Sequence, residues 1–316
     1  MQYLLIIVVV IIVIISLNVI YVYALSSEAE SRSENLNSSK LNVIASFYPL
    51  YEFTKKIGGE KIELSTAIPF GIEPHDWEPT PQDISKLNTA DIIIYNSKGF
   101  DSWLNQFKQS KLIDVSAELE LIKSNEPKGD FDKADNYNLI YDPHIWLDPI
   151  LVKNISQTIG NNLIKIDPNN TNYYQQNTDS FIKELDLLDQ QIRKSLINCE
   201  LKDFISFHEA FHYFANRYGL TQHSVYESLS SEGEILPQQI IKIISLAKSL
   251  DIDTIYSEEL KNQRLAQTFA SEIPNGKVLL LSPIENINKE EQEKNIGYID
   301  KMKKNIENLE KGLRCK

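Results

Sequence analysis

The chain has 316 residues, 44 acidic and 32 basic side chains, and a formal net charge of −12. That length points to about two domains rather than one small core. An acidic balance with no basic stretch excludes a nucleic-acid surface. Cys199 and Cys315 form no Cys-x-x-Cys pair, which excludes a thiolate zinc site or a thioredoxin-like motif. In an exported chain they either form one disulfide tying down the C-terminal helix or stand as separate thiols.

Residues 3–25 are Ile, Val, Leu and Tyr almost throughout, interrupted by Ser16 and Asn18. No polar face interrupts the run, and it is long enough to span a bilayer. Val22-Tyr23-Ala24 offers a signal-peptidase site, although the start of the chain lacks Lys or Arg. Residues 1–25 are therefore expected to be either a signal peptide or a retained membrane anchor, placing the rest outside the cytoplasm. No cysteine follows directly, so a lipid anchor is not expected. Residues 26–40, rich in Ser, Glu and Asn, read as a disordered tether.

From Leu41 strands and helices alternate. Residues 41–45 are β-type, and 48–57 carry helical spacing up to Gly58-Gly59. Residues 62–67 form a second strand, a short helix over 84–87 is opened by Thr80-Pro81, and 92–95 and 112–115 are further strands. This rhythm implies a mostly parallel sheet with helices on both faces. Residues 118–141 break it as a polar surface loop without histidine.

A helix is expected over 150–166, then a longer one over 171–198 with Phe181, Leu185, Leu188, Ile192 and Leu196 on one face. At 1.5 Å per residue the longer helix spans roughly 42 Å, the length of a lobe, and reads as a spine between two lobes. A second alternating set follows: strands at 204–207, 221–226, 254–256 and 277–281, and helices at 210–218, 237–250, 263–272 and 290–313. The fold class is α/β, with an N-terminal lobe over 41–168, a linking helix over 169–198 and a C-terminal lobe over 199–316.

Five histidines occur: His75, His144, His208, His212 and His223. His144 lies in Asp142–Pro149, Asp-Pro-His-Ile-Trp-Leu-Asp-Pro. Asp142-Pro143 holds the chain extended before the histidine, and Asp148-Pro149 reads as an N-cap followed by proline at the first helical position. His75 sits in Pro69–Pro81, beyond the second strand, and His208 directly follows the strand at 204–207. Ligands of open α/β sheets bind outside the carboxyl ends of strands, so these three imidazoles can converge in a cleft between lobes. His212, four residues after His208, is expected to be partly exposed and non-ligating, and His223 to be a surface residue. Trp77, Trp103 and Trp146 are expected to pack around the cleft.

Pro-x-Gly-x-x-Pro-His, Asp-Pro-His-x-Trp-Leu-Asp-Pro and Phe-His-x-Ala-Phe-x-Tyr-Phe-Ala-x-x-Tyr-Gly-Leu occur in that order. With them the chain resembles the metal-binding solute-binding proteins of zinc and manganese ABC importers, from about Leu41 to the C-terminus. Residues 96–104 are similar to that family's segment after its third strand. The resemblance implies two α/β lobes joined by one rigid helix, no catalytic step, and His75, His144 and His208 as metal ligands. The family's frequent fourth ligand is an aspartate in a Leu-Asp-Pro segment, where this chain has Leu281-Ser282-Pro283. Serine is a poor ligand for these ions, which leaves the fourth position to water, Glu73 or Glu258. Three imidazoles favour zinc over manganese. The implied partners are a divalent metal ion and a membrane permease of the ABC type, and the protein is expected to be a monomer.

Two other readings share these residues. A zinc hydrolase would use the same three histidines with Glu209 as general base. Against it, the three histidines come from segments far apart in the chain. An anchored adhesin or metal-storage protein would share the fold and differ in partner.

Overall fold

The computed structural model describes residues 40–316 apart from 76, 98–99, 102, 105–106, 108–110, 124–140, 227–236 and 260–262. The apolar segment 3–25, nearly all of the tether 26–40 and most of the polar stretch 118–141 lie outside the described residues. Leu41–Lys316 forms one compact unit. Among the described residues no helix is long and apolar enough to cross a membrane.

Two four-stranded sheets, parallel throughout, organise the unit. The first contains β1 (Leu41–Ala45), β2 (Ile62–Thr66), β3 (Ile92–Tyr95) and β4 (Leu112–Asp114) in the order β2-β1-β3-β4. The second contains β5 (Asp203–Ser206), β6 (Thr221–Ser224), β7 (Thr254–Ser257) and β8 (Lys277–Leu280) in the order β6-β5-β7-β8. Each order reverses once, between β1 and β3 and between β5 and β7. That reversal opens the crevice in which such sheets hold ligands. β3 reads Ile-Ile-Ile-Tyr and is buried at every residue, as a strand covered on both faces must be.

The helices of the first half are α1 (Tyr48–Gly58), α2 (Pro81–Thr89), α3 (Pro149–Ile166) and α4 (Thr171–Leu196). Those of the second half are α5 (His212–Tyr218), α6 (Pro237–Ser249), α7 (Gln263–Ser271), α8 (Lys289–Glu293) and α9 (Tyr298–Gly312). Thr80 opens α2 with a capping box, its hydroxyl accepting from the Asp83 amide while Asp83 accepts from the Thr80 amide. Gly219 closes α5 in the left-handed region, at φ 67°, where a side chain is disfavoured.

α4 is 26 residues long, roughly 39 Å, and runs between the two sheets in sequence. Tyr174, Phe181, Leu185, Leu188, Ile192 and Leu196 bury one face of it in a core that also takes in α1, α3 and α9. Gly160 of α3 lies against Thr178 of α4 so closely that a Cβ there would collide with the threonine hydroxyl. One continuous core therefore packs along that face of the long helix.

Several boundaries differ from the sequence reading, and one difference has a clear structural cause. The expected C-terminal helix over 290–313 is two helices, because Asn295 takes a left-handed φ of 52° and Gly297 restarts the chain ahead of α9. The helix expected at 210 begins at His212, leaving 207–211 as a loop. Cys199 and Cys315 are joined by a disulfide across 116 residues, tying the end of α9 to the segment that follows α4.

Candidate metal centre

His75, His144, His208 and Glu285 converge where the two sheets face each other, with one potential ligand atom of each within 4.8 Å of all the others. His75, His208 and Glu285 each lie beyond the carboxyl end of a strand, after β2, β5 and β8. His75 lies in the turn after β2, buried at its side chain, with its ring edge-on to Phe100 at 5.0 Å.

His144 is fully buried and held from several sides. Asp142 accepts from the His144 amide at 2.9 Å and faces ring Nδ1 at 2.7 Å, both through Oδ1. The Asn96 side-chain amide donates to the Pro143 carbonyl, and the Tyr213 hydroxyl donates to the Asp142 carbonyl. His144 does not open α3 directly. It precedes a single 3-10 turn, Ile145–Leu147, and Asp148 then caps α3 by accepting from the Ile150 amide. Asn96 is steadied in turn by Asp101, which accepts from its amide and whose carboxyl burial pushes up to about 7.

His208 follows β5. The Ser206 hydroxyl and the Gln222 side-chain amide both donate to its carbonyl, fixing the loop. Glu285 follows β8 by a more constrained route. Ile284, buried and β-branched, adopts φ 57°, a conformation such a residue rarely enters. Ser282 Oγ accepts from the Ile284 amide, and Asn305 brackets Ser282 by accepting from its amide and donating to its carbonyl. The buried serine is thus a brace for the turn that presents Glu285.

Glu285 Oε1 is 3.2 Å from His75 Nε2, 3.3 Å from His144 Nε2 and 3.7 Å from His208 Nδ1. A tetrahedral ion with bonds of 2.0–2.1 Å has its ligand atoms about 3.3 Å apart, so these separations fit a shared centre. His144 Nε2 is buried and points at the Glu285 carboxylate, as suits a ring nitrogen turned towards a shared ion. Burial opposes charge on Glu285, but His208, His144 and His75 outweigh it and hold its carboxyl well below the usual range. Burial also opposes charge on His144. Asp142 and Glu285 overcome this and raise it to about 9. Burial likewise opposes charge on Asp142, and its contacts with His144 and His212 drive it below the ordinary carboxylate range.

The three histidines singled out in the sequence are thus brought together, and the carboxylate gathered with them is that of Glu285, whereas Glu73 and Glu258, offered beside water for the fourth position, are not among the four. Glu258 lies outside the four, with Oε1 3.5 Å from His208 Nδ1. Glu73, Glu258 and Glu285 all line a cavity of about 180 Å³ next to the four residues. Glu285 escaped the sequence reading because its place depends on the left-handed turn at Ile284. The available signal was a glutamate three residues beyond the serine that replaces the family's aspartate.

His212 is partly exposed and stands outside the four, with Nδ1 3.1 Å from Asp142 Oδ2 and Nε2 3.2 Å from Glu209 Oε1. Glu209 thus faces His212. His223 pairs with Asp203 on the second sheet at 2.8 Å. Trp146 and Trp77 pack in or against the main core, and Trp103 stacks edge-on to Trp77 at 5.3 Å.

Two α/β lobes with three nitrogens and one carboxylate gathered between them define a two-lobed metal-binding protein. The chain belongs to the family of zinc-uptake complex component A, periplasmic, whose sequence model matches residues 43–312. It is 36% identical over 285 residues to the high-affinity zinc uptake system protein ZnuA of Bacillus subtilis, covering 88% of this chain and 89% of that protein. The crystal structure of the metal-dependent lipoprotein YcdH from Bacillus subtilis superposes with a TM-score of 0.75 at 36% identity, covering 87% of this chain and 99% of that one. The Zn(II)-bound ZnuA-like domain of AdcA from Streptococcus pneumoniae superposes with a TM-score of 0.74 at 29% identity, covering 87% and 99%.

Proposed function

We propose that this protein is a receptor that captures zinc outside the cytoplasm and delivers it to an ABC permease. The observation that carries the reading is the set of three imidazoles and one carboxylate whose ligand atoms all lie within 4.8 Å of one another. His75, His144, His208 and Glu285 are its ligands. Imidazole nitrogen suits a borderline ion such as zinc, whereas manganese favours more oxygen donors and a larger shell. The names of the relatives, which are zinc uptake and zinc-binding proteins, support the same ion.

The chemistry is capture and release. Four protein ligands close a zinc shell, which leaves no open position for an activated water. That disfavours the hydrolase reading, as does the engagement of Glu209 with His212. The apolar N-terminal segment and the periplasmic description of the matched family support a place outside the cytoplasm.

The test is metal analysis of the full chain, stripped and re-equilibrated with mixed divalent ions, alongside His75→Ala, His144→Ala, His208→Ala and Glu285→Gln. One zinc per chain, lost in each variant, is the expected result. Retained manganese would overturn the choice of ion, and no bound metal would overturn the site.

A further inference from the structure

We infer that His212, standing outside the metal centre, sets the strength of zinc binding by holding the second oxygen of Asp142. The inference rests on the zinc-receptor reading and adds a positioning residue to it.

Asp142 is 1% exposed and divides its two oxygens between two histidines. Oδ1 serves His144, through amide and ring. Oδ2 faces His212 Nδ1 at 3.1 Å. A ring Nδ1 proton donated to Asp142 leaves His144 Nε2 as the lone pair aimed at Glu285 and the other ligands. Such outer carboxylates fix the tautomer and orientation of a ligating histidine. The carboxylate can do so only while its other oxygen is also satisfied, because a buried oxygen without a donor favours protonation or rotation.

His212 is built for that task. Its Nε2 meets Glu209 Oε1 at 3.2 Å, so both ring nitrogens point at carboxylates and the doubly protonated ring is the form that donates to both. Its position at the start of α5 keeps it clear of the four converging residues, and its side chain is 29% exposed. A chain of contacts therefore runs from the surface pair Glu209–His212 through Asp142 to His144. The i, i+4 spacing of His208 and His212 places a ligand and a positioning residue on one loop and helix start.

The geometry separates two conservative replacements. The side-chain amide nitrogen of asparagine sits near the place of histidine Nδ1, whereas that of glutamine sits near Nε2. In His212→Asn the donor to Asp142 remains. In His212→Gln the donor lies on the Glu209 side instead.

The experiment is competition of zinc against a chelator in the full chain, comparing the unaltered protein with His212→Ala, His212→Asn and His212→Gln. Loss of an outer partner should weaken zinc binding by about tenfold in the alanine and glutamine variants, while the asparagine variant recovers most of it. In an Asp142→Asn background, His212→Ala should change affinity by less than about twofold, because the two residues act through one contact. Zinc held equally by all four proteins, or lost equally in all three variants, overturns the inference while leaving the zinc site standing. An unaltered chain that binds no zinc overturns the receptor reading and the inference with it.

Discussion

Trp146 donates its indole N–H to the carbonyl of Pro283 at 2.7 Å, joining the segment that carries His144 to the one that carries Glu285. The Tyr298 hydroxyl reaches the Trp146 carbonyl from the first turn of α9. Trp146→Phe keeps an aromatic ring against Phe47 but leaves a buried carbonyl without its donor. The variant should lose about 1–3 kcal/mol of stability in urea denaturation. Chelator competition should also show weaker zinc binding, since Glu285 loses a tether. Unchanged values in both measurements would mean that the contact between lobes is inert.

Three carboxylates crowd the centre, and only one should matter to first order. Glu285→Gln should weaken zinc binding by more than about a hundredfold, beyond the range of outer partners. Glu258→Gln and Glu73→Gln should stay within about tenfold of the unaltered chain. A larger loss at Glu258 than at Glu285 would reassign the fourth ligand.

The pH response has opposite signs at the two kinds of site residue. His144 is raised from 6.5 to about 9, so its protonated pairing stabilises the metal-free fold fully below about 6.5 and fades as pH rises through about 9. Glu285 is depressed, so its contribution is present above its ordinary range and is lost as pH falls through its low folded value. Zinc competes with the His144 proton. The rise in melting temperature on adding zinc should therefore be small near about pH 5 and grow towards about pH 8.5. A shift of constant size across that range would count against imidazole ligation.

The disulfide should be felt in stability rather than in metal choice. Cys199 and Cys315 close a loop spanning 116 residues of sequence. Loop-closure arguments give about 4–5 kcal/mol for a loop of that order, with measured values often lower. Cys199→Ser with Cys315→Ser should lower the melting temperature while zinc stoichiometry stays the same. Lost stoichiometry in a folded variant would show that the bridge also shapes the site.

By itself the sequence determined the alternating α/β pattern, the long helix between two sets of strands and the three histidines. Each histidine is fixed locally: Pro74 precedes His75, Asp142-Pro143 precedes His144, and His208 lies two residues past the end of β5. Proline restraint and strand ends are short-range features, so they are legible in one dimension. What the tertiary structure decided is the fourth group and the layer behind the ligands. Glu285 reaches the imidazoles because Ile284 turns left-handed, Ser282 and Asn305 brace the turn, and Trp146 holds Pro283 from the other lobe. His212 reaches Asp142 across 70 residues of sequence. Contacts at that separation depend on how two sheets pack around one helix, and no local spacing encodes them.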